Sequence, residues 1–199
     1  MKAGESKMER NPFRKLVFEI SGVCNAKCPF CLTGSRHMPV GGFVDPGLFR
    51  RSIKKLMEEG LIDSQTRVYL FNWGEPLLHR NFREIVETLN DHDLRYIIST
   101  NGSVFFKFDR ALSKNLSRLA FSMPGFSQAS YDRIHKLNFE EVKRNIRQFA
   151  GDLRSLGYAK DIRILFHIYQ FNLDELAQCE SFARSLGITF SPYEAYLND

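Results

Sequence analysis

The sequence lacks any run of apolar residues near the roughly 18 to 20 that cross a bilayer. Its first fifteen residues are polar and basic, without the apolar centre of a secretory signal. A membrane span and export are therefore not expected, and the chain reads as cytoplasmic. Cysteine is scarce: there are four in 199 residues, three of them within eight positions. That is not the spread framework of a disulfide-stapled secreted domain, and a reducing compartment suits free thiolates. Internal repeats, low-complexity tracts and Pro/Gly-rich linkers are missing too. With 43% hydrophobic residues, the length suits one domain with a sizeable core. A strong excess of one charge is also missing, since the net +5 comes from 28 Lys and Arg scattered among 23 Asp and Glu. Such scatter reads as a solvated surface before it reads as a nucleic-acid face. Only the start of the chain gathers basic residues, with Lys2, Lys7, Arg10, Arg14 and Lys15 against Glu5 and Glu9. Residues 1–14 read as a basic arm ahead of a core domain over 15–199.

What is present is a regular alternation of short apolar strands with helical patterns, the signature of a parallel sheet of β-α units. Strands are expected at 15–21, 67–73, 95–100, 118–123, 161–169 and 188–196. Asp45 as N-cap and Pro46 at the first helical position open the first helix. A second begins near Asn81, and a short one carries Leu112 and Leu116. A fourth helical stretch starts at Ser127 and is restarted by Asn138 as a second cap, and the last runs over 173–186. A complete eight-stranded barrel takes about 250 residues. Six strands in this length predict an α/β fold, a partial (β/α)6 TIM-like barrel of six parallel strands, open along one side. The chain stops at Asp199 with no helix to cover the sixth strand, so a fragment of a longer protein, or a partner on that edge, is expected.

The three crowded cysteines, Cys24, Cys28 and Cys31, form a C-x3-C-x2-C run between Gly22 and Gly34. Pro29 and the glycines oppose a regular helix or strand there, so the thiolates can curl round one metal centre. Three ligands are one short of the usual four, which leaves a metal position open to a small molecule. The run, with Phe30 in its aromatic slot, resembles the signature of the radical S-adenosylmethionine (SAM) enzymes. The resemblance implies that Cys24, Cys28 and Cys31 bind three irons of a 4Fe-4S cluster and that SAM chelates the fourth. It implies oxygen sensitivity, a reductant such as flavodoxin or ferredoxin, and a 5'-deoxyadenosyl radical that takes hydrogen from a peptide or small-molecule substrate.

Other strand ends extend the resemblance. Trp73-Gly74-Glu75-Pro76 is similar to the family's Gly-Gly-Glu-Pro, with Trp73 in the first glycine's place, and implies that Glu75 accepts hydrogen bonds from the SAM amino group, with Gly74 beside it in the cofactor-binding turn. Gly74 permits close backbone approach, and Pro76 holds Glu75 extended. Ser99 and Asn101 share a face at the end of the third strand, Ser122 ends the fourth, and Asn172 follows the fifth. The resemblance makes all four SAM contacts, although Ser99 and Asn101 are also ordinary turn formers and Asn172 an ordinary N-cap. Pro124 stands where the family often has Asp. Period-two alternation places Arg163, Leu165, His167 and Tyr169 on one face of the fifth strand. Arg163 reads as an ion-pair partner, and His167 or Tyr169 as a contact for substrate or SAM or as a satisfied core group.

Cys179 shares a helical face with Leu176, Ala183 and Leu186, which marks it as a buried inert thiol. Surface or capping roles are expected for His37, His79, His92 and His135. Two alternatives stand beside the favoured reading. One is a non-catalytic zinc module that uses the three cysteines and a histidine such as His37. The other is a radical SAM enzyme acting on tRNA, motivated by the basic net charge.

Overall fold

The computed structural model describes residues 11–35 and 41–195. Most of the basic arm, His37 and the end of the sixth expected strand at Tyr196 lie outside them. Six strands, β1 (Lys15–Val17), β2 (Arg67–Tyr69), β3 (Arg95–Thr100), β4 (Leu116–Met123), β5 (Asp161–Ile168) and β6 (Thr189–Glu194), form one sheet in chain order. Every neighbouring pair is parallel. The helices α1 (Pro46–Glu58), α2 (Phe82–Asp91), α3 (Arg110–Ser113), α4 (Gln128–Arg133), α5 (Phe139–Ser155) and α6 (Leu176–Ser185) lie in the crossovers. This is the expected partial barrel.

The helices form where capping and apolar spacing coincide. Asp45 accepts a hydrogen bond from the Leu48 N–H at 2.8 Å, Pro46 takes the first helical position, and α1 buries Phe49 and Ile53. Asn138 caps α5 through the Glu141 N–H at 2.8 Å, and α5 buries Val142, Ile146, Phe149 and Leu153 on one face. Each such side chain contributes roughly 1.5–3 kcal/mol when fully removed from water. Strand alternation supplies the other half of the core. On β5, Ile162, Ile164 and Phe166 are buried, whereas Arg163, Leu165 and His167 keep partial exposure on the other face. An incomplete barrel leaves its concave side unfilled, and that is where the polar residues stand.

Four element boundaries differ from expectation, each for a local reason. The β1 ladder stops at Val17 because residues 20–22 turn to pair with residues 42–44: Val44 N–H donates to Ile20 O and Gly22 N–H to Gly42 O. The cysteine loop is thereby cinched at its neck. A side chain at Gly41 would put a Cβ 2.5 Å from the Gly22 carbonyl oxygen, so the neck closes only with glycine there. The β2 ladder ends at Tyr69, and the Trp73 and Gly74 N–H groups turn to the Glu19 carboxylate at 2.6 and 2.8 Å. Leu116 opens β4 and is not part of α3, because the Tyr96 N–H draws Asn115 into the sheet at 3.0 Å. The last helical stretch begins as a 3-10 turn over Leu173–Glu175 before α6. Removing the α5 cap by Asn138→Ala is expected to lower unfolding free energy by about 1 kcal/mol in urea titration, with no change in the slope.

Candidate active site

The carboxyl ends of the strands carry every polar group that the sequence singled out near the cysteines, as parallel barrels require. The loop after β1 bears Cys24, Cys28 and Cys31, all half-buried free thiols. They line one cavity of about 130 Å³ together with Gly74, Glu75, Ser99, Asn101, Ser122 and His135. Two backbone contacts fix this assembly. Glu75 N–H donates to Val23 O at 2.8 Å, and Gly74 lies so close to Ser21 that a Cβ would sit 1.8 Å from its carbonyl oxygen. The turn after β2 is thus seated on the start of the cysteine loop.

Glu75 is 3% exposed. Its Oε1 accepts from Thr100 Oγ1 at 2.7 Å and Leu77 N–H at 3.1 Å, and its Oε2 from Asn101 N–H at 2.8 Å. A carboxylate offers about four acceptor positions, so one remains, on Oε2. Burial pushes the carboxyl up to about 7, against the lowering effect of those three bonds. Burial likewise pushes the Cys24 thiol up to about 11 and the Cys28 thiol up to about 12, with neighbouring cysteines adding to both. Uptake of a metal centre therefore releases protons from these thiols.

The other expected contacts divide. Ser99 stands in the cavity wall, and Ser122 Oγ there lies 3.0 Å from His167 Nε2. Asn101 is tied to its neighbours: its Nδ2 donates to Asn25 Oδ1 at 2.9 Å, and its Oδ1 accepts from Ser103 N–H and Oγ at 2.9 and 2.6 Å. It braces the cysteine loop against β3, with Cys24 Sγ at 3.9 Å. Phe30 faces a different, larger hollow of about 740 Å³, shared with Ile168, Tyr169 and Phe171. Asn172 is not among the residues that line the cysteine cavity. It is fully buried, its Nδ2 donates to Pro124 O and His167 O, and its Oδ1 accepts from Tyr169 N–H, so both of its N–H groups are engaged by backbone. It does not cap the following turn either.

Two residues were missed or misplaced. Glu19, given no role from sequence, clamps the Trp73-Gly74 backbone; its carboxylate at the end of an apolar strand was the available signal. His135, expected at the surface or a cap, is buried in the cavity wall with Nδ1 unpartnered. Its place in a short turn after α4 gave no periodicity to read. His79, expected at the surface or a cap, is buried, and its Nδ1 accepts from Asn81 N–H at 3.1 Å just ahead of α2. Cys179 is buried on α6 as expected, and Arg163 pairs with Asp161.

The arrangement can receive a polar ligand beside three thiols. Three thiols on one loop and Glu75, which keeps a spare acceptor position, meet in one cavity with His135 in its wall. Among the described residues, no three His, Cys, Asp or Glu side chains close on a single ion; thiolates that each take a separate iron do not need to. The fold and the thiol-lined strand ends define a cofactor-dependent enzyme core on an open parallel barrel. Residues 18–158 match the Radical SAM superfamily model, and the chain belongs to that superfamily. The family uses a 4Fe-4S cluster with SAM, and the C-x3-C-x2-C run at Cys24, Cys28 and Cys31 fits it. The zinc-module reading gives way here.

An AdoMet-dependent heme synthase of Nitratidesulfovibrio vulgaris is 26% identical over 161 residues, which are 79% of this chain and 40% of that protein. A probable GTP 3',8-cyclase of Methanococcus maripaludis is 28% identical over 192 residues, 92% of this chain and 61% of that one. The chain thus spans between two fifths and three fifths of these relatives. SuiB of Streptococcus suis, solved with S-adenosylmethionine, shares the fold at a TM-score of 0.68 and 15% identity, over 95% of this chain and 41% of its own. No helix among the described residues is long and apolar enough to cross a membrane.

The raised Glu75 carboxyl gives a signed prediction for the metal-free protein. Between about pH 4.5 and 7 the folded state holds a proton that the unfolded state has released, so stability falls as pH rises through that window. The fall is expected to be of order 2–3 kcal/mol, at about 1.4 kcal/mol per unit. Glu75→Gln should lack that component when urea midpoints are compared across pH, and equal slopes in both proteins would refute it.

Proposed function

We propose that this chain is the catalytic core of a radical SAM enzyme in which Cys24, Cys28 and Cys31 hold the 4Fe-4S cluster and the adjoining cavity receives SAM. The observation that carries the reading is the meeting of the three thiols with Gly74, Glu75, Ser99 and Ser122 in one cavity at the strand ends. When bound, the cofactors supply one-electron cleavage of SAM, which starts hydrogen abstraction from a substrate.

The chain's own residues bind and orient. The free position on Glu75 Oε2 suits an ammonium, and a cation beside it would favour the ionised carboxylate. Ser99 and Ser122 offer further polar contacts, while Asn101 serves the site by holding Asn25 and the Cys24 segment. Phe30, with Tyr169 at 6.4 Å between ring centroids, gives an apolar wall suited to a flat base. Trp73 stands at the rim, with its carbonyl 3.9 Å from Cys31 Sγ.

The curated relatives carry the names of enzymes acting on a heme precursor or GTP, which favours a small molecule over a peptide as substrate. A flavodoxin- or ferredoxin-type protein is the proposed reductant. A basic hollow lined by Arg14, Lys15, Arg67 and Arg95 lies at the opposite ends of the strands, so it lends no support to tRNA at the reaction centre.

Electron paramagnetic resonance of the reconstituted, dithionite-reduced protein should show a 4Fe-4S signal that changes when SAM is added; indifference to SAM would overturn the reading. Cys24→Ala, Cys28→Ala and Cys31→Ala should each lose the cluster iron, and Cys179→Ala should keep it. Glu75→Ala is expected to weaken SAM binding by about tenfold or more, the loss of one charge-assisted hydrogen bond, with iron content retained.

A further inference from the structure

Ser122 at the end of β4, His167 in β5 and Tyr193 in β6 share one hydrogen-bond junction. Ser122 Oγ lies 3.0 Å and the Tyr193 hydroxyl 2.6 Å from the same atom, His167 Nε2. Register brings them together. His167 is opposite Tyr193 across β5 and β6, and Ser122 is opposite Leu165, one same-face step before His167. A neutral imidazole nitrogen presents either one lone pair or one N–H. Two hydroxyls therefore compete for one position, and the one displaced must direct itself elsewhere. For Tyr193 that is away from β5, where its side chain is 40% exposed among the described residues. For Ser122 it is the cysteine-lined cavity, whose wall it forms.

The surroundings suit passage of a proton and not its storage. The rings packed near His167 are His135 at 6.4 Å, Tyr169 at 6.5 Å and Tyr193 at 4.9 Å between centroids. Burial holds the His167 imidazolium down to about 4, so the ring is neutral near pH 7 and gives up a proton that reaches it.

We propose that Ser122, His167 and Tyr193 form a proton path from the cysteine-lined cavity to the exposed Tyr193 hydroxyl, through which the reaction at this site exchanges protons with water. The path rests on the reading of that cavity as the reaction site. In the direction of release, a substrate O–H or N–H gives its proton to the Ser122 oxygen as the Ser122 hydroxyl proton moves to His167 Nε2. The imidazolium passes that proton to the Tyr193 oxygen, whose own proton leaves to water. One proton enters and one leaves, each group returns to its neutral form, and no electrons are transferred.

The test is nuclear magnetic resonance of the full chain labelled with 15N-histidine, as purified and after iron-sulfur reconstitution. Tyr193→Phe removes one hydroxyl from a surface ring, and a melting curve checks that the variant folds. It is expected to slow exchange of the His167 ring proton with water about tenfold, the effect of one lost hydrogen bond; an unchanged rate overturns the path. The Nε2 shifts caused by Tyr193→Phe and Ser122→Ala should fail to add in the double variant, because the hydroxyls compete. Additive shifts overturn the shared junction. Formation of 5'-deoxyadenosine from SAM by the reconstituted, reduced protein tests the cavity's role separately, so failure of one reading is distinguishable from failure of the other.

Discussion

The backbone contact between Gly74 and Ser21 is the constraint on which the site depends. A Cβ at position 74 would sit 1.8 Å from the Ser21 carbonyl oxygen, so only glycine lets the turn after β2 rest on the start of the cysteine loop. Glu19 then holds the Trp73 and Gly74 N–H groups, and Glu75 N–H pairs with Val23 O. These bonds orient Glu75 inward, toward Thr100 and Asn101. One close approach thus joins the ends of β1, β2 and β3 and places the thiols above them.

The site is built from groups that are unfavourable in the absence of a partner. Two half-buried thiols and a buried carboxyl have their ionised forms disfavoured, and among the described residues a buried imidazole nitrogen has no bond. A folded chain tolerates such groups because the surrounding core, closed by α1, α2 and α5 around the apolar faces of the strands, supplies far more stabilisation than they remove. A bound metal and a charged ligand would reverse each penalty, since thiolates and a carboxylate are the forms that they favour. Burial at this end of the sheet is therefore readable as preparation for ligands.

The other half of the sheet is organised differently. Asn172 joins Pro124 O, His167 O and Tyr169 N–H, which locks the end of β5 to the loop after β4. Glu175 does the same for α4, accepting from Phe126 N–H, Ser127 and Ser130. With these loops held, His167 faces the concave side, between the cavity and the exposed β6. The open barrel leaves that side accessible, where a closed barrel would fill it with apolar layers.

Local features legible in the sequence were those set by neighbours along the chain. Period-two alternation, the Asp45, Asn138 and Ser127 caps and the number of β-α units determined six parallel strands in a partial barrel. Close thiol spacing with an aromatic slot and a Gly-Glu-Pro turn marked the family. Contacts across the chain were not legible, because hydrogen-bonding capacity is shared among partners that sequence does not rank. An asparagine after β5 reads as a cap or a ligand until Pro124 O and His167 O are seen to occupy it. A histidine in the turn after α4 reads as solvated until packing buries it beside three cysteines. Strand length follows the same logic: the first two strands read on to residues 21 and 73, yet Ile20 O accepts from Val44 N–H and the Trp73 and Gly74 N–H groups donate to Glu19. The sequence by itself determined which chemistry the chain carries and the order of its strands. Only the tertiary structure decided which polar atoms remain free to perform that chemistry, since each buried donor or acceptor must be matched in space before any is left for a ligand.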